Sequence, residues 1–105
     1  MIAQTAHEIP HPARDELDLA AVLHALSDPV RLRIVGGLAA GEERTCGSFD
    51  VAVSKSTCTH HFRVLREAGL IRQRQQGTMR LNSLRRDDLE ARFPGLLETI
   101  LQAAR

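Results

Sequence analysis

The chain reads as a mainly α-helical domain with one small β-hairpin, in the order α-α-α-α-β-β-α(α). Three observations predict this. Apolar residues recur at helical spacing in several separate stretches. Asp, Ser, Pro and Gly stand where helices start and stop. Residues 70–84 alternate apolar and charged positions on either side of a polar tip. At 105 residues the chain has room for one hydrophobic core.

The elements follow in order. Residues 1–14, with Pro10 and Pro12 and no apolar period, read as a flexible arm, and residues 15–105 as the folded domain. After Asp15, Leu19, Val22, Leu23 and Leu26 follow the i, i+3, i+4, i+7 pattern of an amphipathic helix. Asp28 caps the second helix and Pro29 fits its first position, where a missing N–H costs nothing. That helix runs to about Ala39, with Val30, Leu32, Ile34, Val35 and Leu38 mostly inward. Gly36-Gly37 inside it weakens it, by about 1 kcal/mol per glycine against alanine; a neighbouring helix passing close by would compensate. Residues 40–44 read as a loop, and 47–51 as a short helix anchored by Phe49 and Val53.

Ser54 is an N-cap for the next helix, whose buried stripe is Cys58, Phe62 and Leu65. Gly69 stands at the left-handed position that ends a helix. Leu70–Arg74 and Thr78–Leu84 form the hairpin around Gln75-Gln76-Gly77. A short helix with Leu89 follows, and Pro94 opens a last helix carrying Leu96, Leu97, Ile100 and Leu101.

Charge is segregated. Residues 54–86 hold eight basic side chains against one acid, although the whole chain is only +1. A helix followed by a basic hairpin suits major-groove reading with backbone contacts beside it. If Cys58, Phe62 and Leu65 face inward, Lys55, Ser56, Thr57, Thr59, His60 and Arg63 face outward or lie at the helix N-terminus. Arg74, Gln76, Thr78 and Arg80 lie near the hairpin tip, where arginine suits phosphate or minor-groove contact. Three Phe and no Trp or Tyr argue against stacking on single strands. Such a small aliphatic core is often completed by subunit pairing. Two cysteines make no disulfide framework, and the absence of a leader or membrane-length apolar run points to the cytoplasm.

The segments "ALSDPVRLRI" (residues 25–34) and "SKSTCTHHFRVLREAGLI" (54–71) resemble the ArsR/SmtB family of winged helix-turn-helix repressors, over roughly residues 17–84. His61 and Phe62 match the "HL" of that family's recognition helix, and Cys58 takes a place usually held by Val, which implies core packing. The resemblance implies a homodimer paired through the first and last helices, here Leu19, Val22, Leu23, Leu97, Ile100 and Leu101. It further implies repression at a double-stranded operator, an inverted repeat, relieved by an effector that is often a metal or metalloid.

The family's usual metal ligands are missing. Its thiolate site reads like "ELCVCDL"; here Cys46 matches one thiolate and Ser48 stands where the second would be. The last helix carries no His. His7, His11 and Cys46 remain as weak metal candidates, and no cofactor is expected. Cys46, near a helix N-terminus and Arg44, reads either as an inert side chain or as a redox switch with a lowered pKa. No acid–base pair, nucleophile elbow or phosphate-binding loop marks an enzyme. The sequence thus points to a dimeric DNA-binding regulator. A winged helix docking acidic proteins, or a redox-responsive regulator acting through Cys46, are the alternatives.

Overall fold

The computed structural model describes residues 9–49 and 52–104. Five helices are present among them: α1 (Leu19–Leu26), α2 (Pro29–Leu38), α3 (Lys55–Glu67), α4 (Arg86–Arg92) and α5 (Leu96–Ala103). Three strands, β1 (Arg44–Thr45), β2 (Ile71–Gln76) and β3 (Met79–Leu84), form an antiparallel sheet in the order β1-β3-β2. The mainly helical class with a hairpin holds, and α3 with β2 and β3 makes the helix and wing.

The helix signals act as their chemistry requires. The Asp28 carboxylate accepts from the N–H groups of Val30 and Arg31 at 2.8 and 3.1 Å, with Pro29 next in line. Ser54 Oγ accepts from Thr57 N–H at 3.2 Å. After α3 the chain turns through Gly69 at φ 86°, and Leu70 N–H reaches back to Leu65 O. A Cβ at Gly69 would also collide with the Leu17 side chain, so two separate requirements select glycine here.

Several elements differ from the sequence reading. The helix expected over 47–51 is a single 3-10 turn, Cys46–Ser48; Asp50 and Val51 lie outside the described residues. Gly47 and the short span favour a turn over a helical nucleus. The residues just before it, Arg44 and Thr45, pair with Asn82 and Leu81 and add a third strand to the hairpin. Gln75 and Gln76 belong to β2, so the tip is Gly77-Thr78 alone. Gly37 does admit a close neighbour, but it is the Phe49 ring and the Arg44 guanidinium rather than a helix.

Of the expected arm, residues 9–14 are among those described. Residues 9–14 lie against the body: His11 Nε2 accepts from Gln73 N–H at 2.9 Å, and Pro12 O accepts from Arg85 at 2.7 Å. Arg14 donates to Asp88 at 2.8 Å after a 3-10 turn, Arg14–Glu16. The buried Leu17 then seats the segment, and α1 begins only at Leu19, capped by Asp18.

The core is Leu17, Val22, Ala25, Leu26, Ile34, Val35, Leu38, Cys58, Phe62, Leu65, Leu70, Ile71, Leu89 and Leu97. It joins all five helices to the base of the wing. Phe62→Ala should lower stability by about 3–5 kcal/mol, measured by denaturant or thermal melts. Gly69→Ala should also destabilise, by about 1–3 kcal/mol, through positive φ and the Leu17 collision. Asp88 gives a pH signature. Hydrogen bonds from Arg14 and then Arg85 hold its carboxyl below the ordinary carboxylate range. A folded-state value below the unfolded one means the contribution is complete above the ordinary value and lost as pH falls through the folded value. Wild type should therefore lose more stability than Asp88→Asn on acidification below about pH 4.

Candidate nucleic-acid interface

The α3 helix divides as its apolar spacing requires. Cys58, His61, Phe62 and Leu65 are buried, while Lys55, Ser56, Thr57, Thr59, His60 and Arg63 are exposed. The Thr59 hydroxyl donates back to Lys55 O at 3.0 Å, which leaves its methyl group and lone pairs outward. Lys55, Arg63 and Arg80 make no side-chain hydrogen bond or ion pair among the described residues.

His61 is fully packed, and its partner was missed in the sequence. Arg31, only 8% exposed, donates Nε to Ala25 O at 2.7 Å and places Nη1 3.2 Å from His61 Nδ1. A guanidinium can only donate, so in this contact Nδ1 is the acceptor. The signal was present: Arg31, Ile34, Val35 and Leu38 follow i, i+3, i+4, i+7. Val30 and Leu32, taken as inward, are only partly buried beside that stripe.

The wing is attached to α3 by a buried polar chain. Arg66 donates to Gln73 Oε1 at 3.0 Å, Gln73 Nε2 to Asn82 Oδ1 at 2.7 Å, and Asn82 Nδ2 to Arg44 O at 3.0 Å. Register places Gln73 opposite Asn82 and Gln75 opposite Arg80, so Arg80 shares the sheet face turned to α3. Arg74 and Gln76 stand on the other face. Arg74 is not free: it grips Glu43 with two hydrogen bonds of 2.7 Å, and that bond holds the Glu43 carboxyl below its ordinary range. An open cleft of about 460 Å³ lies between α3 and the wing, lined by Arg63, Arg66 and Arg80 among others. Cations thus converge on the seam between helix and hairpin.

A helix-turn-helix domain family matches residues 26–74. The HTH-type transcriptional regulator YceK of Bacillus subtilis strain 168, itself described as uncharacterized, is 38% identical over 89 residues, covering 82% of this chain and 89% of that protein. The crystal structure of a possible transcriptional regulator for arsenical resistance is 31% identical, with TM-score 0.63, over 78% of this chain and 84% of that one. This chain belongs to the ArsR family of helix-turn-helix transcriptional regulators. The transcriptional repressor BigR from Xylella fastidiosa is similar as well, at 28% identity and TM-score 0.63 over 81% of this chain and 84% of that one. As a member of this family the protein is a DNA-binding transcriptional regulator.

The remaining candidates of this ArsR-family regulator are placed as follows. Leu19 and Leu23 are each 45% exposed on α1, and Ile100 and Leu101 are partly buried on α5. Val22, 1% exposed, and Leu97, 5% exposed, belong to the chain's own core and are not surface for a partner. The apolar stripe of α1 in fact has two faces: Val22, Ala25 and Leu26 point inward, while Leu19 and Leu23 point out.

Of the three metal candidates, His11 and Cys46 lie among the described residues. His7 lies outside the described residues. His11 is occupied by Gln73 N–H, and burial, with Arg72, Arg85 and Arg66 nearby, pushes its pKa below the ordinary histidine value. Among the described residues no group of three or more His, Cys, Asp or Glu is placed to hold a metal ion. Cys46 contradicts the expectation of a lowered pKa: burial first, then the Cys58 thiol, push it up to about 12. The two sulfurs are 2.8 Å apart. The sequence treated Cys58 as packing alone; it is in the core, but it also touches Cys46.

The division of labour is testable. Arg63→Ala should weaken binding to specific DNA by about 1–3 kcal/mol with an unchanged melting temperature. Arg66→Ala should lower the melting temperature, because the buried Gln73 loses the donor to its Oε1. Gel shifts beside thermal melts check both, and equal melting losses would contradict the assignment.

Proposed function

We propose that this regulator is a homodimeric repressor that reads an inverted-repeat operator in the cytoplasm and is released by an effector. Each protomer lays the N-terminal half of α3 in a major groove. Ser56, Thr57, Thr59, His60 and Arg63 meet base edges there, while Lys55 and the free N–H groups of the helix end meet phosphate. Arg80, with Thr78 and Gln76 at the tip, takes the adjoining backbone. Arg74 gives way to Arg80 in this role because Glu43 already neutralises it.

The observation that carries the reading is the pairing of an exposed polar α3 face with cations that have no partner among the described residues. Scattered surface charge would not leave Arg63 and Arg80 on one cleft, and Lys55 at the start of the same helix, without a partner among the described residues while Arg74 and Arg86 are matched by acids. The dimer draws support from Leu19 and Leu23. Two exposed leucines one helical turn apart are the kind of apolar surface a second copy covers. Repression is supported by the similarity to the transcriptional repressor BigR.

Binding to the promoter DNA of its own gene is the direct test. Three unpaired cations per protomer predict a log–log salt slope of about −5 for a dimer, since each phosphate neutralised contributes about −0.9. If all eight basic residues took part, the slope would be far steeper. A slope near zero, or no preference over random duplex, would sink the reading. Leu23→Glu should convert the dimer to a monomer in analytical ultracentrifugation and abolish cooperative occupancy of two half-sites. The melting temperature of a monomeric form tests whether each subunit folds alone.

A further inference from the structure

The two cysteines stand on different elements that the fold brings together. Cys46 opens the 3-10 turn that follows β1, and Cys58 lies one turn into α3. Their Sγ atoms are 2.8 Å apart and both are free thiols. A disulfide needs about 2.05 Å, so closing the gap takes less than one ångström of movement. Cys58 is buried, whereas Cys46 is half-buried and lines the cleft with Arg63, Arg66 and Arg80.

We propose that Cys46 and Cys58 form a reversible dithiol–disulfide site, oxidised by an anionic low-molecular-weight disulfide that enters through the arginine-lined cleft. The steps balance. The Cys46 thiol loses its proton and attacks one sulfur of the small disulfide. A mixed disulfide forms, and one small thiolate leaves. Cys58 then loses its proton and attacks Cys46 Sγ, expelling the second small thiolate. The protein gives up two electrons and two protons, and the small disulfide becomes two thiols.

Each part has a structural reason. Cys46 is the accessible sulfur and therefore the attacking one. Cys58, already in contact, resolves the adduct before a second molecule can. Burial and the Cys58 thiol hold Cys46 protonated at neutral pH, with Lys55 opposing this. Attack from dilute solution is accordingly slow. Three arginines at the entrance offset this by concentrating an oxidant that carries carboxylates, and disfavour a cationic one. The consequence for DNA rests on the function proposed above. The bond pulls on α3 between Thr57 and Thr59, at the end assigned to base reading.

Oxidised glutathione and cystamine, an anionic and a cationic disulfide, are the probes. Each is added at equal concentration to the reduced full-length protein. Both thiols should disappear and the intact mass should fall by two hydrogens. Peptide mapping should join Cys46 to Cys58, with oxidised glutathione acting faster. Cys46→Ser should give no such link and no oxidant response in DNA binding. Retained thiols, a stable glutathione adduct or links only between protomers would overturn the site. Equal or faster oxidation by cystamine would overturn the arginine entrance. The mapped disulfide form should bind operator about tenfold more weakly or worse, the loss of one good base contact, and recover on reduction. Unchanged affinity would overturn the coupling to DNA. Failure of the reduced protein to bind any duplex would instead overturn the proposed function, with the disulfide map still standing.

Discussion

The arrangement of the reading helix depends on one buried guanidinium. Arg31 sits on the core stripe of α2 yet carries a charge, so each of its contacts must compensate for lost water. Ala25 O, at the end of α1, supplies one acceptor, and His61 Nδ1, inside α3, supplies another. Three helices are thereby referred to a single planar group. Apolar packing alone tolerates small rotations and slides, whereas a donor that must meet two fixed acceptors does not. The outward face of α3 is consequently held at a set angle to α1 and α2. That angle fixes how the exposed Thr59 and Arg63 are presented to solvent.

The same economy governs the charge. The eight basic residues between 54 and 86 do not act as one patch. Arg66 and Arg85 are absorbed by the fold, where they hold Gln73 and Pro12. Arg74 and Arg86 are matched to Glu43 and Glu98, and Arg72 lies 3.7 Å from Asp88, an acid already held by Arg14 and Arg85. Only Lys55, Arg63 and Arg80 are left without a partner among the described residues. Exposed ion pairs are worth little, so their arginines still contribute to the field around the protein. Their direct contribution to phosphate binding is reduced, because each must first leave an acid.

The readable parts of the sequence were those governed by neighbours in the chain. Asp28, Ser54 and Gly69 marked helix ends correctly because a cap is a local hydrogen-bond problem. The stripe Cys58, Phe62, Leu65 was correct because periodicity reports one buried face. The failures share a cause. Strand β1 is two residues long and exists only because β3 offers it an edge. Gln73 and Asn82 look like solvent-facing wing residues until Arg66 and Arg44 O are found beside them. Val22 and Leu97 looked available for a partner because spacing identifies an apolar helix face but not which side of the interface it lies on. The contact between Cys46 and Cys58 joins a turn to a helix across twelve positions, with no local pattern to announce it. Arg31 is different: its spacing placed it inward, and its charge argued wrongly for the surface.

The segment before α1 ties the two ends of the domain together. His11 accepts from the backbone of β2, Pro12 accepts from Arg85, Arg14 meets Asp88 on α4, and Leu17 O accepts from Arg92. Two residues beyond Leu17, α1 begins with Leu19, the first of the exposed leucines. A continuous stretch of chain thus runs from the wing, past α4, into the helix with the exposed apolar face. Leu17 is packed against Gly69, the residue that ends the reading helix. Any displacement of α1 must therefore either be absorbed at Asp18, the one residue between the anchored Leu17 and the helix, or be passed to contacts that set the wing and the end of α3. Leu17, buried against Gly69, thus brings the approach to α1 and the end of α3 into one packed contact.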